Sequence, residues 1–217
     1  MKKRTILIIG VAAVFAIIYI SLGDQGGPKH PTLNESARLP DEYLKNVAYY
    51  EQSERHENSA NSLEKAVAAI REIESDVDNE SFEKLEHAIA RLQNLHQAIL
   101  KSSLSTQEMR STFEYVLNSL THAELEVSEM YAETNHLDKA NLALKYAQLH
   151  VKNAILFHNE FWGKDTEQLA IEKHVFREMD SLLENEAVSP VEYIFALDKM
   201  IKEVDEVIEK QGKEIKP

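Results

Sequence analysis

Residues 81–100 read SFEKLEHAIARLQNLHQAIL. From Phe82 to Ile99 the apolar side chains return at alternating steps of three and four, and His96 falls in the same series. This spacing places them along one face of an α-helix. The same pattern continues through most of the chain after Pro40, with little glycine or proline to interrupt it. The sequence therefore predicts an all-α protein.

Several helix starts are marked by residues that cap the free amide groups of a first turn. Ser105-Thr106-Gln107-Glu108 has the form of a capping box, and Ser189 precedes a proline at the first helical position. The other predicted starts are Asp41, Asn135-His136-Leu137-Asp138 and Thr166. Because helices joined by short turns lie antiparallel, we predict that residues 41–217 form an antiparallel bundle, or αα-hairpin domain, of about six to seven helices.

An internal repeat is suggested when residues 63–100 are laid on residues 118–155. The shift places Ser81-Phe82-Glu83-Lys84 on His136-Leu137-Asp138-Lys139. Any two amphipathic helices share a period, so coincidence is the alternative to a true repeat. A true repeat predicts two stacked units, each made of a helix, a short turn and a second helix.

The segment from His122 to Lys152 has a distinctive arrangement of residues over two predicted helices. Tyr131 lies near the end of the first helix, and the second helix carries Leu137, Asp138, Lys139, Ala140, Leu144 and Ala147. The segment resembles a single tetratricopeptide repeat, a helix–turn–helix unit. Ser128 stands where that family has a glycine in the first helix, and Lys152 stands where it has a closing proline. The resemblance implies a TPR-like helix pair at residues 122–152.

Residues 68–92 show a second sequence pattern. The Ala/Ile-rich helix of Ala68-Ala69-Ile70-Arg71 is followed by a short polar turn and then by a second helix. This arrangement is similar to that of YfdX-like bacterial exported helical proteins. Both resemblances imply an extracytoplasmic helical domain that acts through interaction, and neither one assigns a reaction.

The N-terminal part of the chain has a different composition. Residues 5–22 read TILIIGVAAVFAIIYISL and follow Met1-Lys2-Lys3-Arg4. As a helix this uncharged segment reaches roughly 27 Å, about the thickness of a bilayer's hydrocarbon core. We predict a single-pass transmembrane signal anchor in a bacterial inner membrane, with residues 1–4 cytoplasmic and the C-terminal domain periplasmic. Residues 23–40 contain several Gly and Pro and predict a flexible linker. A signal peptide cleaved near Ser21-Leu22-Gly23 is the alternative.

The composition is acidic and contains no cysteine. Asp and Glu number 37 against 24 Lys and Arg, which gives a net charge of −13. All the acidic residues lie after Gly23, whereas three of the basic ones lie before it, so the predicted domain is more acidic still. Such a surface repels nucleic acid and anionic lipid headgroups. Without cysteine, disulfides and haem attachment through C-x-x-C-H are excluded.

The sharpest cluster of metal-ligating residue types lies on one predicted helix. His122, Glu126, Glu129, Glu133 and His136 follow one another at steps of 4, 3, 4 and 3, so they share a stripe. Glu133 and His136 have the E-x-x-H spacing of metal-binding helices in ferritin-like proteins. The stripe lies beside the apolar one, which favours a solvated face over a metal site. No cofactor is predicted, and a metal site on this stripe is the alternative.

An aromatic cluster ends one of the predicted helices. Phe157, Phe161 and Trp162 lie directly before Gly163. Core packing is the first interpretation of this cluster, and contact with a partner is the second. His96 and His158 fall on apolar stripes, which predicts that both are at least partly buried.

No motif in the chain identifies a reaction. Neither G-x-S-x-G nor H-E-x-x-H occurs, and no P-loop or dinucleotide fingerprint occurs, so we expect no enzymatic activity. The sequence predicts a membrane-anchored extracytoplasmic protein-interaction module, an adaptor or assembly factor of a membrane complex. A periplasmic bundle that binds a metal or another ligand is the alternative. The expected partners are the membrane, through residues 5–22, and other proteins; a homo-oligomer is left open, and nucleic acid is not expected.

Overall fold

The computed structural model describes residues 35–74, 77–162, 166–185 and 187–214, without the side chains of residues 35, 160–162 and 214. Within these ranges the chain is all-α, as predicted, and seven α-helices follow a short 3-10 helix. The elements are the 3-10 helix Glu35–Arg38, α1 Leu39–Gln52, α2 His56–Glu74, α3 Asn79–Leu100, α4 Thr106–Glu133, α5 Leu137–Trp162, α6 Glu167–Glu184 and α7 Pro190–Glu214.

Helices α4 to α7 form an antiparallel four-helix bundle. Each packs against the next, and α7 returns to pack against α4, which closes the ring. The connections at 134–136, 163–166 and 185–189 are short, so consecutive helices run in opposite directions. Helices α1 to α3 pack on one another in sequence order, and α3 lies against α4. Helix α4 is therefore shared between the bundle and the N-terminal helices, and the predicted antiparallel bundle is confirmed.

The shared position of α4 explains its composition. A helix with one buried face would expose its polar side chains to water, but α4 buries side chains all around its axis. Its buried polar and charged residues are Arg110, Thr112, Glu114, Asn118, Ser119, Thr121, His122, Glu124 and Ser128. Burying such groups is costly unless they bond within the protein. The polar residues of α4 therefore indicate where other helices supply partners.

The helix starts follow the predicted caps in most places. Oγ of Ser105 accepts a hydrogen bond from the amide of Glu108 at 3.1 Å, and Oγ1 of Thr166 accepts one from the amide of Leu169 at 3.1 Å. At Ser189 both halves of a capping box form. Oγ of Ser189 accepts a hydrogen bond from the amide of Glu192 at 3.3 Å, and the carboxylate of Glu192 accepts one from the amide of Ser189 at 3.1 Å. These local bonds fix the first turns of α4, α6 and α7.

Two boundaries differ from the predictions. Asn135 has a φ of 60° and ends α4 in the left-handed conformation that asparagine tolerates, so it lies in the turn before α5. The helical domain also begins before Asp41, because the 3-10 helix starts at Glu35 and Ala37 is fully buried. The last residues of the predicted linker 23–40 are therefore part of the fold.

The predicted fold class is wrong in one respect, the transmembrane helix. No helix in the described ranges combines the length and the apolar composition needed to cross a membrane. Helix α4, with 28 residues, is long enough, but it carries charged residues such as Arg110 and Glu114. Residues 5–22, to which the transmembrane helix was assigned, lie outside the described residues. The fold class is accordingly all-α, with no membrane span assigned.

Candidate functional site

The structure divides the predicted stripe of α4 among different environments. His122 is completely buried, and Glu126 and Glu129 are partly buried. Glu133 and His136 are exposed, at the end of α4 and in the turn that follows. The stripe is therefore not one solvated face, because α4 has a second buried side at His122. Nor do its five residues converge on one point, since the predicted E-x-x-H pair lies at the exposed end.

His122 lies where three helices meet. Its Nδ1 is 3.2 Å from Oγ of Ser81 on α3, and its Nε2 is 3.1 Å from Oδ1 of Asp205 on α7. The same Nε2 is 4.0 Å from Oε1 of Glu80 and 3.9 Å from Oε1 of Glu126. We call Glu80, Ser81, Lys84, His122, Glu126 and Asp205 the His122 cluster. Two of its carboxylates, from α3 and α7, are far from α4 in sequence and were not predicted.

Lys84 neutralises part of the negative charge in the His122 cluster. Its Nζ lies 2.5 Å from Oε1 of Glu80 and 3.1 Å from Oδ1 of Asp205. Burial lowers the pKa of Lys84, but hydrogen bonds to both carboxylates outweigh that effect and raise it overall. For Asp205, burial alone would raise the pKa, and the contacts with His122 and Lys84 lower it overall. The charged forms of both residues are thus stabilised by each other.

The carboxylates farther along α4 are held less favourably. Burial raises the pKa of Glu126, where the nearby His122 offsets only part of the effect. Burial, together with the charges of Glu126, Glu133 and Asp198, raises the pKa of Glu129 to about 7. Carboxylates along the edge between α4 and α7 therefore repel one another, from the His122 cluster toward the end of α4.

A second polar cluster lies inside the four-helix bundle. Arg110 Nε donates to Oε1 of Glu114 at 2.6 Å, and Nδ1 of His158 on α5 lies 3.4 Å from the same oxygen. Asn118 Nδ2 donates to Oε1 of Glu172 on α6 at 2.8 Å. All five side chains are at most 5% exposed. We call them the core network; His158 is buried in it, in agreement with the sequence prediction.

Burial disfavours the ionised form of Glu172 in the core network. Burial, with a smaller contribution from the charge of Glu114, raises its pKa to about 7 against the opposing hydrogen bond from Asn118. Its Oε2 has no hydrogen-bond partner among the described residues. A buried carboxylate with one unsatisfied oxygen is expensive to ionise. The network is therefore sensitive to pH near neutrality.

The N-terminal helices are tied to the bundle by a third buried contact. Asp41 at the start of α1 is 2% exposed, and its Oδ2 lies 2.6 Å from Nδ1 of His150 on α5. Asn153 Nδ2, one turn along α5, donates to Oδ1 of the same carboxylate at 2.5 Å. Both oxygens of Asp41 are therefore satisfied, and α1 is held in register against α5.

The predicted aromatic cluster is core at the one position that can be assessed. Phe157 is 5% exposed, and its ring packs edge to face on Phe113 with centroids 5.3 Å apart. Its side chain therefore packs in the core, and it also lines a surface depression beside α1. Phe161 and Trp162 lie in the last turn of α5, but their side chains are outside the described part, so partner contact there stays a prediction.

An apolar groove of about 550 Å³ lies between α5 and α6. We call it the α5–α6 groove; its lining residues are Lys152, Ile155, Leu156, Ala170, Lys173, Phe176 and Arg177. A smaller depression of about 240 Å³ between α1 and α5 shares Leu156 with it and is also lined by Lys45 and Tyr49. Leu156 is 44% exposed and Tyr49 is 59% exposed. Apolar surface with basic residues beside it therefore extends across α5 from α6 to α1.

Comparisons of the chain with protein-family models, with curated proteins and with solved structures find no match. The TPR-like and YfdX-like resemblances stay predictions.

Proposed function

We propose that this protein is a protein-interaction module that binds an acidic amphipathic helix of a partner in its α5–α6 groove. One observation carries the proposal: an exposed apolar groove has basic side chains at its rim in a chain whose net charge is −13. Exposed apolar surface with a polar rim is typical of binding sites. An amphipathic helix lies in such a groove with its apolar face down.

The charge at the rim favours an acidic partner. Lys152 and Arg177 are exposed on opposite sides of the groove, and neither forms an ion pair within the described residues. Nε of Arg177 does donate to the carbonyl oxygen of Lys173 at 3.2 Å, which positions the guanidinium over α6. Acidic side chains on a partner would neutralise these cations, and complementary charge speeds association and suppresses wrong partners.

The shape of the groove favours a helix over a compact ligand. The groove is bounded by two neighbouring helices and is open to solvent rather than enclosed. The depression beside Tyr49 and Lys45 on α1 shares Leu156 with the groove. A partner helix that crosses α5 would contact both regions with side chains spaced three and four residues apart. Such a module suits the adaptor role predicted from the sequence, and its cellular location stays a prediction.

The proposal is tested with a synthetic helical peptide that carries Leu on one face and Glu on the other. Fluorescence anisotropy with the full-length protein is expected to show saturable binding that weakens as salt rises. The double substitution K152E/R177E is expected to weaken binding at least about tenfold, because both rim contacts become repulsive.

The matched control is K65E/K101E, which makes the same charge change at two exposed lysines on α2 and just after α3. It is expected to leave binding within about twofold of the wild type, since these lysines are outside the groove. Equal binding of a Leu/Lys peptide, or unchanged binding by K152E/R177E, would contradict the proposal.

A further inference from the structure

We propose that the His122 cluster binds one divalent first-row transition-metal ion, through Nε2 of His122 and carboxylate oxygens of Asp205 and Glu80. This inference is independent of the partner helix proposed above, because the His122 cluster lies among α3, α4 and α7 rather than on α5. It differs from the stripe predicted from the sequence, since two of its three ligands come from other helices.

The buried imidazole of His122 points to a cation. Its Nε2 has no hydrogen bond among the described residues, although Oδ1 of Asp205 is only 3.1 Å away. Without a metal, a neutral ring would turn its Nε2 lone pair toward carboxylate oxygens, which is costly for a side chain with no contact with water. A protonated ring would pair with Asp205 at 3.1 Å, but without the alignment of a hydrogen bond. A metal ion accepts the Nε2 lone pair and attracts the carboxylates at once.

The ligand atoms already lie close together. Glu80, His122 and Asp205 each offer one ligand atom, and these three atoms lie within 4.8 Å of one another. In the described part of the chain, no other group of three or more His, Cys, Asp or Glu residues does so. Metal–nitrogen and metal–oxygen bonds of about 2.0–2.2 Å place neighbouring ligands about 3–3.5 Å apart. Small rotations of Glu80 and Asp205 are enough to reach that spacing. Glu126, whose Oε1 is 3.9 Å from Nε2, can supply a fourth ligand.

Ser81 acts on the imidazole from the other side. Its Oγ lies 3.2 Å from Nδ1, so an Nδ1–H can be donated to it. That bond leaves the lone pair on Nε2, which is the form that a metal requires, and it fixes the orientation of the ring. One nitrogen and two or three carboxylate oxygens suit Zn²⁺, Mn²⁺ or Fe²⁺ better than the soft ions that thiolates select.

Lys84 competes with the ion. Its ammonium lies 2.5 Å from Glu80 and 3.1 Å from Asp205, where it neutralises the same oxygens. Binding of a metal therefore requires the flexible lysine side chain to turn outward, and its Nζ to leave both carboxylates. The side chain is 16% exposed, so water is within reach. The ammonium and the metal are alternative cations at one position, and this competition gives the proposal a distinctive test.

Isothermal titration of the full-length protein with Zn²⁺ provides that test. We expect one ion per chain, weakened at least about tenfold by D205N and by H122Q, as is usual when metal sites lose a contributing group. The variant K84M is expected to bind Zn²⁺ at least about tenfold more tightly, because it removes the competing ammonium while keeping a side chain of similar length.

The matched control is H96Q, which removes a partly buried histidine of α3 whose Nε2 lies 3.3 Å from Glu64. It is expected to leave the affinity unchanged. Circular dichroism confirms folding of each variant; if H122Q does not fold, D205N and K84M decide. Absence of Zn²⁺ binding by both the wild type and K84M, or equal affinity of D205N and the wild type, would overturn the proposal.

Discussion

Replacing Arg110 by Met is expected to lower the free energy of unfolding by about 3–5 kcal/mol. The guanidinium forms two hydrogen bonds to Glu114, at 2.6 and 3.4 Å, and both side chains are at most 5% exposed. Methionine keeps much of the apolar volume but leaves the carboxyl group of Glu114 buried without its main partner. Urea denaturation at neutral pH measures the loss.

The double variant R110M/E114L separates lost charge pairing from lost packing. Removing both charges is expected to recover most of the stability, because well-packed apolar residues replace buried ion pairs at little cost. The control R38M removes an exposed pair with Glu42, whose side chains are about half exposed, and is expected to cost less than about 1 kcal/mol. A double variant as unstable as R110M would show that the charges are not the cause.

The free energy of unfolding of E172Q, relative to that of the wild type, is expected to rise by about 3 kcal/mol as the pH increases from 4.5 to 8. Burial raises the pKa of Glu172 in the folded protein from 4.5 to about 7. Its contribution to stability is therefore fully present below about pH 4.5 and is lost as the pH rises through 7. Glutamine stays neutral and can still accept the bond from Asn118, so it escapes this loss.

Unfolding curves in urea at both pH values, for the wild type and E172Q, provide the comparison. The exposed carboxylate of Glu83 on α3 supplies the matched control, E83Q, which is expected to differ from the wild type by nearly the same amount at both pH values. A difference between E172Q and the wild type that does not change with pH would mean that Glu172 is not held in its protonated form near neutrality.

Local features of the fold could be predicted because they depend on neighbours in sequence. The stripe from Phe82 to Ile99 predicted α3, and Ser105 and Ser189 predicted the starts of α4 and α7. A cap needs only residues within one turn, and an apolar stripe needs only its own period. The transmembrane helix is the part of the fold class that the structure does not support.

The sites could not be predicted in the same way, because they depend on packing between distant helices. Asp205 meets His122 across 83 positions only because α7 returns to α4. His122 was predicted to face water, since periodicity shows one buried face and gives no sign that α3 would cover a second. One signal was available in the sequence: α4 has 28 residues and carries polar residues on every side, so no single face of it is apolar.

Binding of a partner helix in the α5–α6 groove is tested by placing the photo-crosslinking residue p-benzoylphenylalanine at position 156 in cells that produce the protein natively. The same residue at position 100 is the control, since Leu100 is 59% exposed but lies at the end of α3, away from the α5–α6 groove. We predict a product specific to position 156, mapped by mass spectrometry to an acidic amphipathic helix and lost in K152E/R177E. Identical products at both positions, or a specific product that maps to a basic or non-helical segment, would contradict binding of an acidic helix in the groove.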